Sequence, residues 1–187
     1  MYNRILENAQ EATELSQILI QDWVLEGNKD EVYNMVQINT PIGKLTIAQI
    51  GGLISNIFFD GEEPKSVIFE EHPVLQMAEK QLIEYFDKRR KVFDLPLFLD
   101  RQVMESFNTK VWRTMIAEVP FGATITYGEL AALCNSPKAA RAVGMANNRN
   151  PLPLIIPCHR VVGKNGSLTG FRGGLDVKAK LLEFEKA

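Results

Sequence analysis

The chain has 187 residues, 45% of them apolar, two cysteines and a formal net charge of −2, enough sequence for one domain or two small ones around an ordinary hydrophobic core. No run of about 18 apolar residues could span a bilayer, and the acidic, polar first residues do not make a secretory signal, so the expectation is a cytoplasmic protein without membrane contact. The small total hides a division: residues 1–100 hold 9 Lys+Arg against 17 Asp+Glu, and residues 101–187 hold 12 against 6. A locally basic surface attracts phosphate backbones whatever the total charge, although solvated surface helices produce the same asymmetry by chance.

Met1 to about Gly27 carries Ile5, Leu6, Ala9, Ala12, Leu15, Ile18, Leu19 and Trp23 at helical spacing. This predicts an amphipathic helical extension over residues 1–32 that packs on the body or meets a partner. From Tyr33 to Phe59 the period changes to short β-rich runs broken at Thr40-Pro41-Ile42-Gly43 and Gly51-Gly52, an antiparallel meander. Asp60–Lys65 reads as a polar loop, and Pro73–Arg90 as a helix through Leu75, Ala78, Leu82, Tyr85 and Phe86. The basic cluster Lys88-Arg89-Arg90-Lys91 suits the negative end of that helix better than a nucleic-acid contact. Val92–Leu99, with Pro96, predicts an edge strand or linker, and the domain boundary is expected within residues 94–105. The domains expected are therefore 33–100, mixed α/β, and 101–187.

Phe107–Val119 is helical in pattern, with Phe107, Val111, Trp112, Met115, Ile116 and Val119 on one side and Pro120-Phe121-Gly122 as the stop. Thr126 caps a short helix, Tyr127–Cys134, and after a turn at Asn135-Ser136 a second helix begins with Pro137 at its first position. Two short helices across a tight turn make either a helix-turn-helix or a plain helical hairpin. The second, Pro137–Ala146, carries small residues around Arg141. Small residues permit close approach either to the domain's own core or to a minor groove, where Arg141 could enter the space left by an extruded base. The last helix, Asp176 to about Glu185, turns Val177, Leu181, Leu182 and Phe184 inward.

Between these helices lies Asn150–Val162, an apolar run punctuated by Pro151, Pro153 and Pro157. Each proline lacks an amide hydrogen and pushes its predecessor towards an extended conformation, which predicts a buried, stiff, extended segment. It delivers Cys158 with His159 and Arg160 behind it. Only the thiolate is a good nucleophile, and a free thiol with a pKa of about 8.5 needs a neighbouring base or positive charge, for which His159 and Arg160 are the candidates. Neighbours on an extended segment point to opposite faces, so His159 would reach Cys158 through a bend or a water. The alternative is an inert buried thiol. Cys134 and Cys158 are expected as reduced thiols, and two cysteines with two histidines match no zinc module. Thr169–Leu175 is glycine-rich without a phosphate-loop pattern and predicts a mobile lid over a pocket.

Pro157-Cys158-His159-Arg160-Val161-Val162, preceded by Asn150-Pro151 and followed by Gly170-Phe171-Arg172-Gly173-Gly174-Leu175 and Lys178, resembles the active-site signature of the O6-alkylguanine-DNA alkyltransferases, the methylated-DNA–protein-cysteine methyltransferases. The match runs from roughly Phe107 to Glu185. The resemblance implies an α/β ribonuclease-H-like N-terminal domain and a mainly helical C-terminal domain with a helix-turn-helix of winged-helix-like type. It implies irreversible, stoichiometric transfer of the alkyl group from O6-alkylguanine in double-stranded DNA to Cys158 after base flipping, with O4-alkylthymine as a further candidate substrate. It also implies a monomer working from the minor groove, without cofactor or metal; some relatives carry an N-terminal zinc site that nothing here could build.

By the same resemblance His159 is the base, acting through a water, Glu185 orients the imidazole, Asn150 braces the turn and Tyr127 donates to the base. Arg141 is the finger that replaces the flipped nucleotide, with Thr126, Tyr127, Ala139, Ala140 and Gly144 at the DNA surface. Pro153, Val161, Phe171 and Arg172 line the alkylated-base pocket. Phe171 and Arg172 stand where some members have Tyr and Ser, which puts the pocket's shape in question. A methyl thioether on Cys158 has no hydrolysable bond and no resolving thiol beside it, so one transfer per molecule is expected. Two competing readings are a non-catalytic lesion sensor of the same fold, against which Cys158 argues, and a cysteine hydrolase, which would need an oxyanion hole.

Overall fold

The computed structural model of the chain describes residues 34–62, 64, 68–98 and 106–186. The expected helix within residues 1–32 and most of the expected boundary, residues 99–105, lie outside them.

Strands β1 (Asn34–Thr40), β2 (Gly43–Ile50) and β3 (Leu53–Phe59) form the antiparallel meander. Gly51 (φ 55°) and Gly52 (φ 81°) make the second turn in left-handed conformations that cost a glycine nothing. From Leu45 to Ile50 the inside–outside alternation disappears and every residue is buried, the pattern of a strand covered on both faces. The sheet order is β3-β2-β1-β4, where β4 (Ile68–Phe69) pairs in parallel with the start of β1. The sequence reading lacks β4, because two residues show no period. On the other edge Leu97 bridges Ile54 in parallel: Ile54 N–H donates to Pro96 O and Phe98 N–H to Ile54 O, each at 2.8 Å. Pro96 takes part through its carbonyl, having no hydrogen to give.

Helix α1 (Pro73–Phe86) packs on the sheet, its first turn capped by His72 Nδ1, which accepts from Val74 N–H at 3.2 Å. It ends earlier than its period predicts. Asp87 is the cap and Lys88 turns left-handed (φ 61°), so the basic cluster lies beyond the last turn and its helix-dipole explanation does not hold. The cluster instead makes local pairs, Arg89 with Asp87 and Arg90 with Glu84, while the Lys88 and Lys91 ammonium groups lie over the Phe184 and Phe121 rings.

In the second half α2 (Phe107–Glu118) is capped by Ser106, buries Val111, Trp112 and Met115, and is tied to α4 (Ala140–Asn148) by Trp112 Nε1–H donating to Ala146 O at 2.9 Å. The two-residue strands β5 (Ile125–Thr126) and β6 (Val161–Val162) pair in parallel. Thr126 caps α3 (Tyr127–Leu133) with a reciprocal box, its side chain accepting from Glu129 N–H while the Glu129 carboxylate accepts from Thr126 N–H. Pro137 does not begin α4. Ala139 N–H donates to Ser136 O at 2.8 Å, closing a turn with Pro137 in its second position, where proline's fixed φ is as well suited as at a helix start. Ala139 then becomes the cap, and the helix runs on past Ala146 to Asn148.

Helix α5 (Leu175–Lys186) buries Lys178, Leu181 and Glu185, with Val177 and Phe184 only partly covered. The predicted face is rotated so that two charged residues point inward. One continuous core joins the halves, and the backbone crosses between them where Ile57 N–H donates to Pro151 O at 2.8 Å.

Candidate active site

The proline-rich run is buried from Leu152 to Val162 but is not extended throughout. Leu154 adopts φ 75°, Ile156 N–H donates to Leu152 O, and Cys158–Arg160 forms one turn of 3-10 helix closed by Arg160 N–H on Pro157 O at 3.0 Å. Proline restricts φ, but its value is shared by extended and helical backbone, so Pro157 can stand immediately before a helical turn. Asn150 brackets this turn. Its Nδ2 donates to Ile156 O at 2.8 Å and to Cys158 Sγ at 3.1 Å, while its Oδ1 accepts from Leu152 N–H at 2.9 Å.

Cys158 is 6% exposed. Burial pushes its thiol pKa up, opposed by the Asn150 hydrogen bond and by the positive charges of Lys178 and Arg172. Both cysteines are free; Cys134, also buried, lies 3.5 Å from the Thr114 hydroxyl.

His159 is fully buried, with Nε2 2.9 Å from Glu185 Oε1. Burial by itself would raise the Glu185 pKa, but hydrogen bonds and charge from His159 and Arg160 outweigh it and hold the carboxyl well below the usual carboxylate range. An ionised carboxylate can only accept, so the proton of the pair sits on His159 Nε2. Nδ1, buried and without a hydrogen-bond partner, keeps its lone pair. Burial pushes the imidazole pKa down, the Glu185 hydrogen bond and charge working against it, so the ring is held as a neutral base.

Arg160, a candidate with His159 for the group that activates the thiol, turns to Glu185 instead, and with Lys178 and Tyr85, to which the sequence reading gave no role, it completes the arrangement. Arg160 donates through Nε to Glu185 Oε2 and through Nη2 to Oε1, both at 2.9 Å, and through Nη1 to Val119 O at 2.7 Å. Lys178 Nζ donates to Val161 O at 2.6 Å and Thr169 O at 2.9 Å. Tyr85, from α1, donates to Glu185 Oε1 at 2.7 Å. The available signal was their position: Arg160 beside His159, Lys178 inside the motif, and Tyr85 on the inward stripe of its helix.

The glycine-rich loop is tethered rather than free. Lys178 holds Thr169, Phe171 meets Phe59 edge-on at 5.5 Å between ring centres, and Arg172 reaches across to the sheet half. The Arg172 guanidinium donates to Asn150 O and Ile57 O and pairs with Glu62 at 3.1 Å. Of the other pocket candidates, Pro153 and Val161 are buried and Phe171 is half-buried. The Tyr127 hydroxyl lies 3.4 Å from Thr169 O and its ring is 5.9 Å from Lys178 Nζ. Gly144 faces that ring, where an added Cβ would stand 3.8 Å away. Thr126, Ala139 and Ala140 are half-buried and Arg141 is exposed on the first turn of α4. Among the described residues no group of three or more His, Cys, Asp or Glu could hold a metal, and no helix is long and apolar enough to cross a membrane.

Family models match the chain in both halves: "6-O-methylguanine DNA methyltransferase, ribonuclease-like domain" over residues 32–99 and "6-O-methylguanine DNA methyltransferase, DNA binding domain" over residues 106–187. The chain is 43% identical over 155 residues to the constitutive methylated-DNA–protein-cysteine methyltransferase of Bacillus subtilis, covering 79% of this chain and 92% of that protein. It is also 43% identical over 151 residues to the methylated-DNA–protein-cysteine methyltransferase of Methanosarcina acetivorans, covering 78% and 94%. The crystal structure of Mycobacterium tuberculosis OGT in complex with DNA superposes with a TM-score of 0.72 at 38% identity, over 82% of this chain and 92% of that one. With both halves matched and relatives aligned over nearly their whole length, the chain belongs to the 6-O-methylguanine DNA methyltransferase family.

Proposed function

We propose that this chain repairs alkylated DNA by direct reversal, with Cys158 as the acceptor of the alkyl group from O6-alkylguanine. The observation that carries the assignment is a single turn that holds Cys158, hydrogen-bonded by Asn150, and a neutral His159 whose Nδ1 has no hydrogen-bond partner and whose Nε2–H is fixed on Glu185. The thiol proton passes to His159 Nδ1, through a water, as the lesion enters. Sγ attacks the alkyl carbon; the S–C bond forms as the C–O6 bond breaks, and the electron pair leaves with the guanine, which is protonated as it departs. Asn150 and the Lys178 charge lower the cost of the developing thiolate, which burial alone disfavours. The thioether cannot be hydrolysed, so each molecule works once.

The helix pair α3–α4 serves as the helix-turn-helix, set in the minor groove of double-stranded DNA. Arg141, exposed at the start of α4, fills the gap left by the flipped nucleotide, and Ala139, Ala140 and Gly144 permit the close approach. Thr126 fixes the entry to α3, Tyr127 donates to the departing base, and Pro153, Val161 and Phe171 line its pocket. Arg172 braces that pocket from the sheet side through Glu62 and Ile57. Residues 33–100 act as the supporting domain and 101–187 as the DNA-binding and transfer domain. One acceptor per chain needs no second subunit, so the working unit is a monomer.

The test is the intact mass of the protein after incubation with a duplex carrying one O6-methylguanine. A gain of about 14 Da, one methylene, saturating at one per chain and absent from Cys158→Ala, is expected. Binding of the duplex without mass gain would transfer the assignment to a lesion sensor.

A further inference from the structure

The carboxylate behind His159 is held from both halves of the chain. Glu185 Oε1 accepts from His159 Nε2 and Arg160 Nη2, each at 2.9 Å, and from the Tyr85 hydroxyl at 2.7 Å. Tyr85 belongs to α1 in the sheet half, is fully buried, and is surrounded by the rings of Phe86, Phe93, Phe121 and Phe184. A phenol in such an apolar cage keeps its hydrogen bond because losing it leaves an unsatisfied buried donor.

We propose that Tyr85 is a positioning residue for alkyl transfer: by sharing the charge on Glu185 Oε1 it limits how strongly the carboxylate draws a proton onto His159, and so keeps the imidazole available as a base. The proposal rests on the assignment of Cys158 and His159 above.

Donors on one oxygen divide its negative charge. Without the Tyr85 hydroxyl more of that charge falls on the His159 Nε2–H bond, which stabilises the imidazolium and raises its pKa. The other charged groups around the pair cannot take its place: Arg160 already contributes its full charge, Lys178 repels an imidazolium, and Cys158 favours one only once it is a thiolate. Tyr85 adds no charge, since burial and the adjacent carboxylate keep its phenol protonated. Glu185 does not depend on Tyr85 for its orientation, because Arg160 Nε and Gly122 N–H hold Oε2 at 2.9 and 3.1 Å. The contribution of the hydroxyl is therefore read in pH dependence and not in folding.

The experiment is Tyr85→Phe in the full chain, which keeps the ring and removes the hydroxyl. Methyl transfer to Cys158 from an O6-methylguanine duplex is followed by mass as a function of pH. The acid limb of the rate profile is expected to move up by about half to one pH unit, with several-fold slower transfer near its midpoint and a high-pH plateau changed less than about twofold. The chain has two histidines, so ¹⁵N-histidine NMR separates them: His159 should protonate at higher pH in the variant while His72 is unmoved. Adding Tyr85→Phe to Glu185→Gln should shift nothing further, because the charge to be shared is gone. Slowing at all pH values with an unmoved limb, or an unchanged His159 titration, would overturn the proposal. Failure of the wild type to gain mass would overturn the Cys158 assignment instead, and the NMR titration would still decide whether Tyr85 governs His159.

Discussion

Arg160 grips both oxygens of Glu185 at 2.9 Å, with the carboxylate side chain only 1% exposed. A bidentate pair out of water is costly to form and costlier to break, because removing one partner strands the other's charge. Glu185→Ala should lose about 3–5 kcal/mol of stability in denaturant unfolding as well as slowing transfer. A variant that unfolds at the wild-type midpoint would mean that water reaches Arg160.

The same pair sets the response to acid. The folded Glu185 pKa is depressed, so its contribution is complete above the unfolded carboxylate value of about 4.3 and is lost as pH falls towards the folded value. His159 is also depressed, and its neutral form is favoured by folding, so stability begins to fall below an unfolded pKa of about 6.5. Both have the same sign. Thermal unfolding between neutral and acid pH should show a steady loss, and Glu185→Gln should flatten its lower part.

Asn150 joins the thiol to the turn that presents it. Asn150→Ala removes donors from Cys158 Sγ and Ile156 O and an acceptor from Leu152 N–H. The thiol pKa, already raised by burial, should rise further, and transfer near neutral pH should slow by about tenfold for a lost hydrogen bond to a developing charge. Thiolate absorbance as a function of pH separates this from a binding defect.

Gly173 marks a close approach between the halves. A Cβ there would stand 2.8 Å from the Phe59 ring, which packs edge-on against Phe171. Gly173→Ala must push that ring or the loop aside and should cost about 1–3 kcal/mol in unfolding measurements. Gly166→Ala is a poor control, since that residue has φ 73°; Gly128, with nothing within 4 Å, is the appropriate one.

Arg141 is exposed on the first turn of α4. Arg141→Ala should change the unfolding free energy by no more than about 0.5 kcal/mol, the usual range for a surface change. Its transfer from duplex DNA should fall strongly, while transfer from the free O6-alkylguanine base, which needs no flipping, should not. Equal losses on both substrates would place Arg141 in the chemistry instead.

The meander, the inward stripes of α1 and α2 and the cap of α3 were legible because they rest on local rules: alternation, a 3.6-residue period, and a side-chain oxygen at a helix start. The burial of Cys158 was legible as well, since the apolar run and the prolines that carry it are contiguous with it. Where a residue has two suitable local roles, sequence does not choose between them. Pro137 fits a turn as well as a helix start, and Pro157 an extended segment as well as a helical turn; in each case the neighbouring hydrogen bonds, Ala139 to Ser136 and Arg160 to Pro157, decided. Tertiary structure alone explains why Lys178 and Glu185 face inward on α5 against every hydrophobic rule, because the carbonyls, Arg160 and His159 that compensate their burial come from distant parts of the chain. Charge burial is settled by partners, and periodicity does not name partners. For the same reason no local pattern could have linked Tyr85 to Glu185, which folding brings within 2.7 Å across 100 residues.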